Sequence, residues 1–197
     1  MKPNSRKAGD LPILKFDRKS GWARWLDKNH DASSGAWLRL AKKASGLKSV
    51  SYDEALEVAL CYGWIDGQGK SGGEQYWFVN FTPRGKRSVW SKRNRKRVLM
   101  LIAAGRLKPA GLAEVERARS DGRWDEAYDS SSRITVPDDL QTALGENSRA
   151  KRAFDTLDRG NRYAVLFRLH TARKPETRAK RIQEFVRMLA RGEKLYR

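Results

Sequence analysis

The chain has a single cysteine, Cys61, so no internal disulfide can form, and its histidines number two, His30 and His170. With so few soft ligands a Cys/His zinc site is excluded, and neither a metal nor another cofactor is expected. Long apolar runs are missing too: nothing approaches the ~18 residues that a membrane-spanning helix needs. The start, MKPNSRKAGDLPILKFDRKSG, offers only LPIL where an export signal needs an apolar segment of about 7–15 residues, so the expected location is the cytoplasm. Acidic residues are scarce beside basic ones, 23 Asp and Glu against 42 Lys and Arg, which leaves +19 at pH 7. A field of that sign draws polyanions: nucleic acid, phosphate-bearing ligands, acidic proteins or, peripherally, anionic membrane.

What is present is enough for a packed core: 197 residues, 39% of them hydrophobic, with seven tryptophans. Residues 1–15, with Pro3, Gly9, Pro12 and four basic side chains, read as a disordered arm. A helix follows with Trp22, Trp25 and Leu26 on one face and Ser20 as its cap. GAWLRLAKK supplies a strand over 36–40. Ser51 and Glu54 form a capping box ahead of an apolar helix over 52–62, which Gly63 stops. YWFVNFTP predicts a strand over 75–82, and RSVW, after the PRG turn, its hairpin partner over 87–90. Ser91 caps a helix to about 104, ended by Gly105, and a shorter helix covers 110–120.

Ser130, Ser131 and Ser132 mark a linker over 125–136, beyond which helices are expected over 137–145, 147–157, 161–173 and 175–191. The last carries Ile182, Phe185, Val186 and Leu189 in one stripe. The fold class is therefore α+β and predominantly helical. An N-terminal α+β domain over 16–124 holds a small antiparallel sheet, and a helical module occupies 137–197.

Most residues with chemical potential have an ordinary explanation. GQGKSG, residues 67–72, matches a dinucleotide-binding glycine pattern but has a helix before it and a strand after it, the reverse of what that motif needs. It reads as a flexible loop entering a strand. Cys61, in the last turn of an apolar helix, is expected to be buried and inert. His30 falls at a helix end, where a partly positive ring suits the dipole, and His170 edges the core of the C-terminal helices.

The window 84–97 is different. Eight of its fourteen residues are basic and none is acidic. Lys92, Arg93 and Arg95 fill a first helical turn, where cations are disfavoured, and Lys92 with Lys96 and Arg93 with Arg97 are like-charge pairs at i, i+4. Such a pattern suits an anion site, because the unsatisfied amides of a helix start attract anions. It equally suits a solvated basic face. The candidate anion-binding residues are Arg84, Lys86, Arg87, Ser91, Lys92, Arg93 and Asn94, with Trp90 as a stacking or packing face. A competing expectation is an enzyme of unknown reaction with a pocket around Asp66, Arg84, Lys92 and Asn94. The basic helix 175–191 offers a third expectation, peripheral membrane contact, although its apolar stripe suits packing.

Several segments together resemble one family. EALEVALCYGWIDG at 54–67, FTPR at 81–84, SVWSKRN at 88–94, GRLKPAG at 105–111, DGRWDEAYD at 121–129, and the tail VPDDL with KPETRAKRIQEFVRMLARGEK are similar to the bacterial YdeI/OmpD-associated, or bacteriocin-protection, proteins. The segments run in the family's order over about two thirds of the chain. The resemblance implies a mainly helical protein with a small sheet, and a link to tolerance of bacteriocins or cationic peptides. It carries over no catalytic residue. The expected function is that of a basic, polyanion-binding stress-tolerance protein.

Overall fold

A computed structural model describes residues 11–130 and 132–196. The chain divides into two compact units: the chain up to Ser88 together with Asn94–Asp125, and Val89–Arg93 together with Glu126–Arg197. The fold is α+β and mainly helical, with one small mixed sheet in the N-terminal part and a helical C-terminal part.

The first unit opens with β1 (Ile13–Leu14), α1 (Lys19–Asn29) and β2 (Ala36–Ala41). A 3-10 turn at Lys43–Ser45 leads into α2 (Tyr52–Cys61), followed by β3 (Trp64–Gly72) and β4 (Tyr76–Pro83). The strand order is β1-β2-β4-β3, antiparallel except for β1, which pairs parallel with β2 through Ile13–Trp37 and Leu14–Leu38. Of the predicted arm, residues 1–10 lie outside the described residues, while Leu11 is buried and Ile13–Leu14 join the sheet at the edge of β2, where the Trp37 amide donates to the Pro12 carbonyl at 2.9 Å.

Two expectations about this sheet are corrected. GQGKSG is strand, not loop: Lys70, Ser71 and Gly72 pair with Phe78, Trp77 and Tyr76, with an irregularity between Asp66 and Gly69. Aromatic rings from β4 fill the space its glycines leave, as Trp77 lies against Gly69 and Phe78 against Gly72. Residues 87–90 are not a strand, because β4 is central and β2 and β3 already occupy both of its edges. The chain there pairs elsewhere in its own unit, the Tyr128 amide donating to the Trp90 carbonyl and the Lys92 amide to the Tyr128 carbonyl, both at 2.9 Å.

One face of the sheet builds the core. Trp22 of α1, fully buried, meets Phe81 at 5.8 Å and Trp64 at 6.1 Å between ring centroids, and its Nε1 donates to the Ala55 carbonyl. The helix begins at Lys19 behind Arg18 with no side-chain cap, so Ser20 lies inside it rather than at its end. Ser51 caps α2 as predicted: its hydroxyl accepts from the Glu54 amide, and the Glu54 carboxylate accepts from the Ser51 amide. Gly63 then turns left-handed at φ 72°. α3 (Lys92–Ala103) and α4 (Pro109–Ser120) follow, and Gly111 of α4 lies against the last carbonyls of α2.

The second unit contains α5 (Asp138–Gly145), α6 (Ser148–Asp155), α7 (Arg159–His170) and α8 (Pro175–Ala190). Leu140, Phe154, Leu166, Leu169, Phe185 and Leu189 form its core. The 125–136 stretch is engaged rather than bare: Tyr128 bridges to Ser91, and Ile134 and Val136 pack on that core. His170 ends α7 exposed, its Nε2–H donating to the Glu126 carbonyl at 2.9 Å.

Candidate functional site

The basic window separates into residues that serve the fold and residues that face solvent. Directly after β4 the Arg84 amide donates to the Gly63 carbonyl at 3.0 Å, and the Arg84 side chain is only 5% exposed. Its carbonyl accepts from Arg117, which also pairs with Glu114. Burial raises the Glu114 carboxyl above its ordinary range, against the pull of Arg117 and Arg84. A second arginine absent from the sequence candidates, Arg123, is buried beside the same turn, donating to the Ser88 carbonyl at 2.7 Å and to both oxygens of Asp121 at 2.8 Å. Asn94 is buried as well. Arg95 donates to the Trp124 carbonyl, and Arg97 pairs with Asp53 at the start of α2, which accounts for part of the cation density of α3.

Lys86 and Arg87 are exposed on the turn of the first unit. In the second unit Trp90 is buried at 2% exposure, Ser91 is half-buried in its bridge with Tyr128, and Lys92 and Arg93 are exposed. The Lys92 ammonium holds Asp129 at 2.6 Å.

Asp66 sits on the helix-covered face of the sheet, half-buried, and accepts a hydrogen bond from the Tyr52 hydroxyl at 2.7 Å. Tyr52 and Trp77, with ring centroids 5.7 Å apart, flank a groove of about 580 Å³ lined also by Lys42, Lys43 and Ser49. Sequence reasoning missed this groove. The signal was thin, a pair of lysines and two aromatics 25 positions apart that only strand pairing brings together. Cys61 is buried, and burial pushes its thiol upward, away from the thiolate a nucleophile needs. Among the described residues no three His, Cys, Asp or Glu side chains gather as a metal site, and no helix is long and apolar enough to cross a membrane.

Two family models match the chain. Residues 133–192 match the family described as bacteriocin-protection, YdeI or OmpD-associated, and residues 14–114 match a domain of unknown function, DUF8412. Among curated proteins and among solved structures, nothing matches. The resemblance seen in the sequence is thus upheld on the helical C-terminal part, while its segments from EALEVALCYGWIDG to GRLKPAG fall within the DUF8412 match.

Proposed function

Since the chain belongs to the DUF8412 domain family over residues 14–114 and carries a bacteriocin-protection, YdeI or OmpD-associated domain over 133–192, we propose that it is a stress-tolerance protein that works by binding polyanions. The observation that supports this reading is the basic window, in which Lys86, Arg87, Lys92 and Arg93 remain exposed after the buried arginines have been assigned to the fold. Lys86 and Arg87 on one unit, and Lys92 and Arg93 on the other, are separate contacts for phosphate or carboxylate groups. The contacts are electrostatic and carry no base or lipid specificity of their own. Protection would follow from occupying an anionic target that a cationic toxin also seeks.

Salt dependence tests it. Binding of a short DNA duplex and of anionic vesicles is measured at several salt concentrations for the parent, for the variant with Lys86, Arg87, Lys92 and Arg93 changed to Ser, and for a charge-matched control with Arg149, Lys151, Lys180 and Arg187 changed to Ser. Four phosphate contacts give a logarithmic slope of about −3.6, which the first variant flattens and the control largely keeps. Equal slopes in both variants, or no binding by the parent at low salt, remove the site. Survival of cells expressing each protein under a cationic bacteriocin links binding to protection.

A further inference from the structure

The face of the sheet turned away from α1 carries a second arrangement that the basic window does not involve. Strand register sets Trp37 opposite Asn80, and Arg39 and Lys70 on either side of Phe78. Tyr76, Phe78, Arg39 and Asn80 are half-buried there, Lys70 is exposed, and Ile13 is 59% exposed. The rings of Tyr76 and Phe78 stay half-buried on this face, whereas Trp37 is buried at 9% exposure. A Cβ on Gly72 would stand 2.6 Å from Cε2 of Phe78, so the Phe78 ring rests on the bare backbone of β3. Two cations cover the rings on flexible stems: the Lys70 ammonium lies 4.2 Å above Trp37 and 5.6 Å from Phe78, and the Arg39 guanidinium 4.6 Å above Tyr76. Asp66, the one carboxylate in the four strands, lies on the opposite face with Tyr52.

We propose that this face is a stacking platform for the unpaired bases of a single-stranded nucleic acid. A planar base has the same claim on the π-face of half-buried Tyr76 or Phe78 as the cation now resting there, and stacking is the stronger of the two contacts. When a base takes the ring, Lys70 or Arg39 swings outward on its stem to a phosphate of the same strand, so ring and cation are both satisfied. Arg39 Nε and Asn80 Oδ1 are buried and find no hydrogen-bond partner among the described residues, so this donor and acceptor reach a base edge or sugar hydroxyl once the side chains over them swing aside. A duplex does not fit, because its bases are already stacked and a flat face cannot enter a groove. A second copy of the chain is disfavoured by charge, since +19 would meet +19. The proposal shares with the polyanion reading only the sign of the ligand. Its residues are different.

The test compares a labelled ten-nucleotide oligothymidylate with an abasic strand of the same length and charge, by fluorescence anisotropy on the whole chain. The oligothymidylate binds at least tenfold more tightly. Tyr76→Ala and Phe78→Ala each weaken it about tenfold and leave abasic binding unchanged, and Tyr76→Phe restores the parent affinity because it keeps the ring. Thermal unfolding of each variant shows whether the fold persists, and Tyr76→Phe keeps the proposal testable if an alanine variant unfolds. Equal affinity for the two strands overturns the proposal. So does a dimer by sedimentation that Tyr76→Ala dissociates with no change in oligonucleotide binding. The variant lacking Lys86, Arg87, Lys92 and Arg93 separates the two readings: it flattens the salt slope for both strands without altering their ratio, so a lost ratio condemns the platform and an unchanged slope condemns the basic window.

Discussion

Asp139 in the first turn of α5 and Arg178 in α8 are joined twice, Nη2 to Oδ1 at 2.9 Å and Nε to Oδ2 at 2.5 Å. The same guanidinium donates through Nη1 to the Leu169 carbonyl near the end of α7 at 2.8 Å, so one side chain ties three helices of the second unit. The Arg178 hydrogen bonds hold the Asp139 carboxyl below its ordinary range. A depressed carboxyl contributes stability that is fully present above its unfolded-state pKa, about 3.9, and is lost as pH falls through the lower folded-state value.

Asp139→Asn keeps the shape and removes the charge. Its cost at pH 7 is expected to be about 0.5–1 kcal/mol, because the pair is partly exposed and screened. Urea unfolding of parent and variant at pH 7, 5, 4 and 3 should show that difference narrowing below about pH 4. Other depressed carboxyls, such as Glu54 and Asp158, titrate alike in both proteins and cancel. A difference that persists unchanged to pH 3 would mean that Arg178 does not hold the ionised form.

Phe185 is 6% exposed within the core of the second unit, beside a stripe that includes Ile182 and Leu189. Phe185→Ala is therefore expected to cost about 3–5 kcal/mol, the lost transfer of the ring plus the cavity it leaves. Gln183→Ala, on the exposed side of the same helix, should stay within about 0.5 kcal/mol. Urea unfolding followed by circular dichroism distinguishes them, and near-equal midpoints would show that α8 is not a packing element.

The α8 stripe was legible because helical periodicity is a local property, and so was the cap of α2, whose two partners stand three residues apart. The identity of β3 was not, because a glycine-rich segment becomes a strand only when rings from β4 cover it. The false hairpin over 87–90 has a related cause: RSVW has strand composition, but nothing local reveals that β4 has no edge left to offer. For the candidate site, composition located the positive charge but could not separate Arg84, buried near Glu114 and Arg117, from exposed Lys86 two positions on. Burial is tertiary. The bond from Tyr52 to Asp66 and the cations over Trp37 and Tyr76 likewise depend on strand register, which a one-residue slip would reverse from one face to the other.

Two helical glycines should respond to alanine with opposite signs. Gly145, in the last turn of α5, has open space around the position of an added Cβ and no left-handed backbone, so Gly145→Ala is expected to stabilise by about 0.4–1 kcal/mol by reducing the freedom of the unfolded chain. Gly111, inside α4, has the same gain of about 1 kcal/mol available from helix propensity. There, however, a Cβ would stand 2.4 Å from the Cys61 carbonyl oxygen and 2.9 Å from that of Leu60. These atoms are backbone at the end of α2, and the Lys108 amide already holds the Cys61 carbonyl at 3.1 Å, so neither can give way as a flexible side chain would. Forcing α4 outward costs the roughly 1–3 kcal/mol typical of overpacking and more when backbone is the obstacle, which exceeds the propensity gain. Gly111→Ala should therefore lower the urea midpoint while Gly145→Ala raises it. A rise in both would show that α4 can shift away from α2 at little cost, and the close approach of the two helices would lose its role in the packing of the first unit.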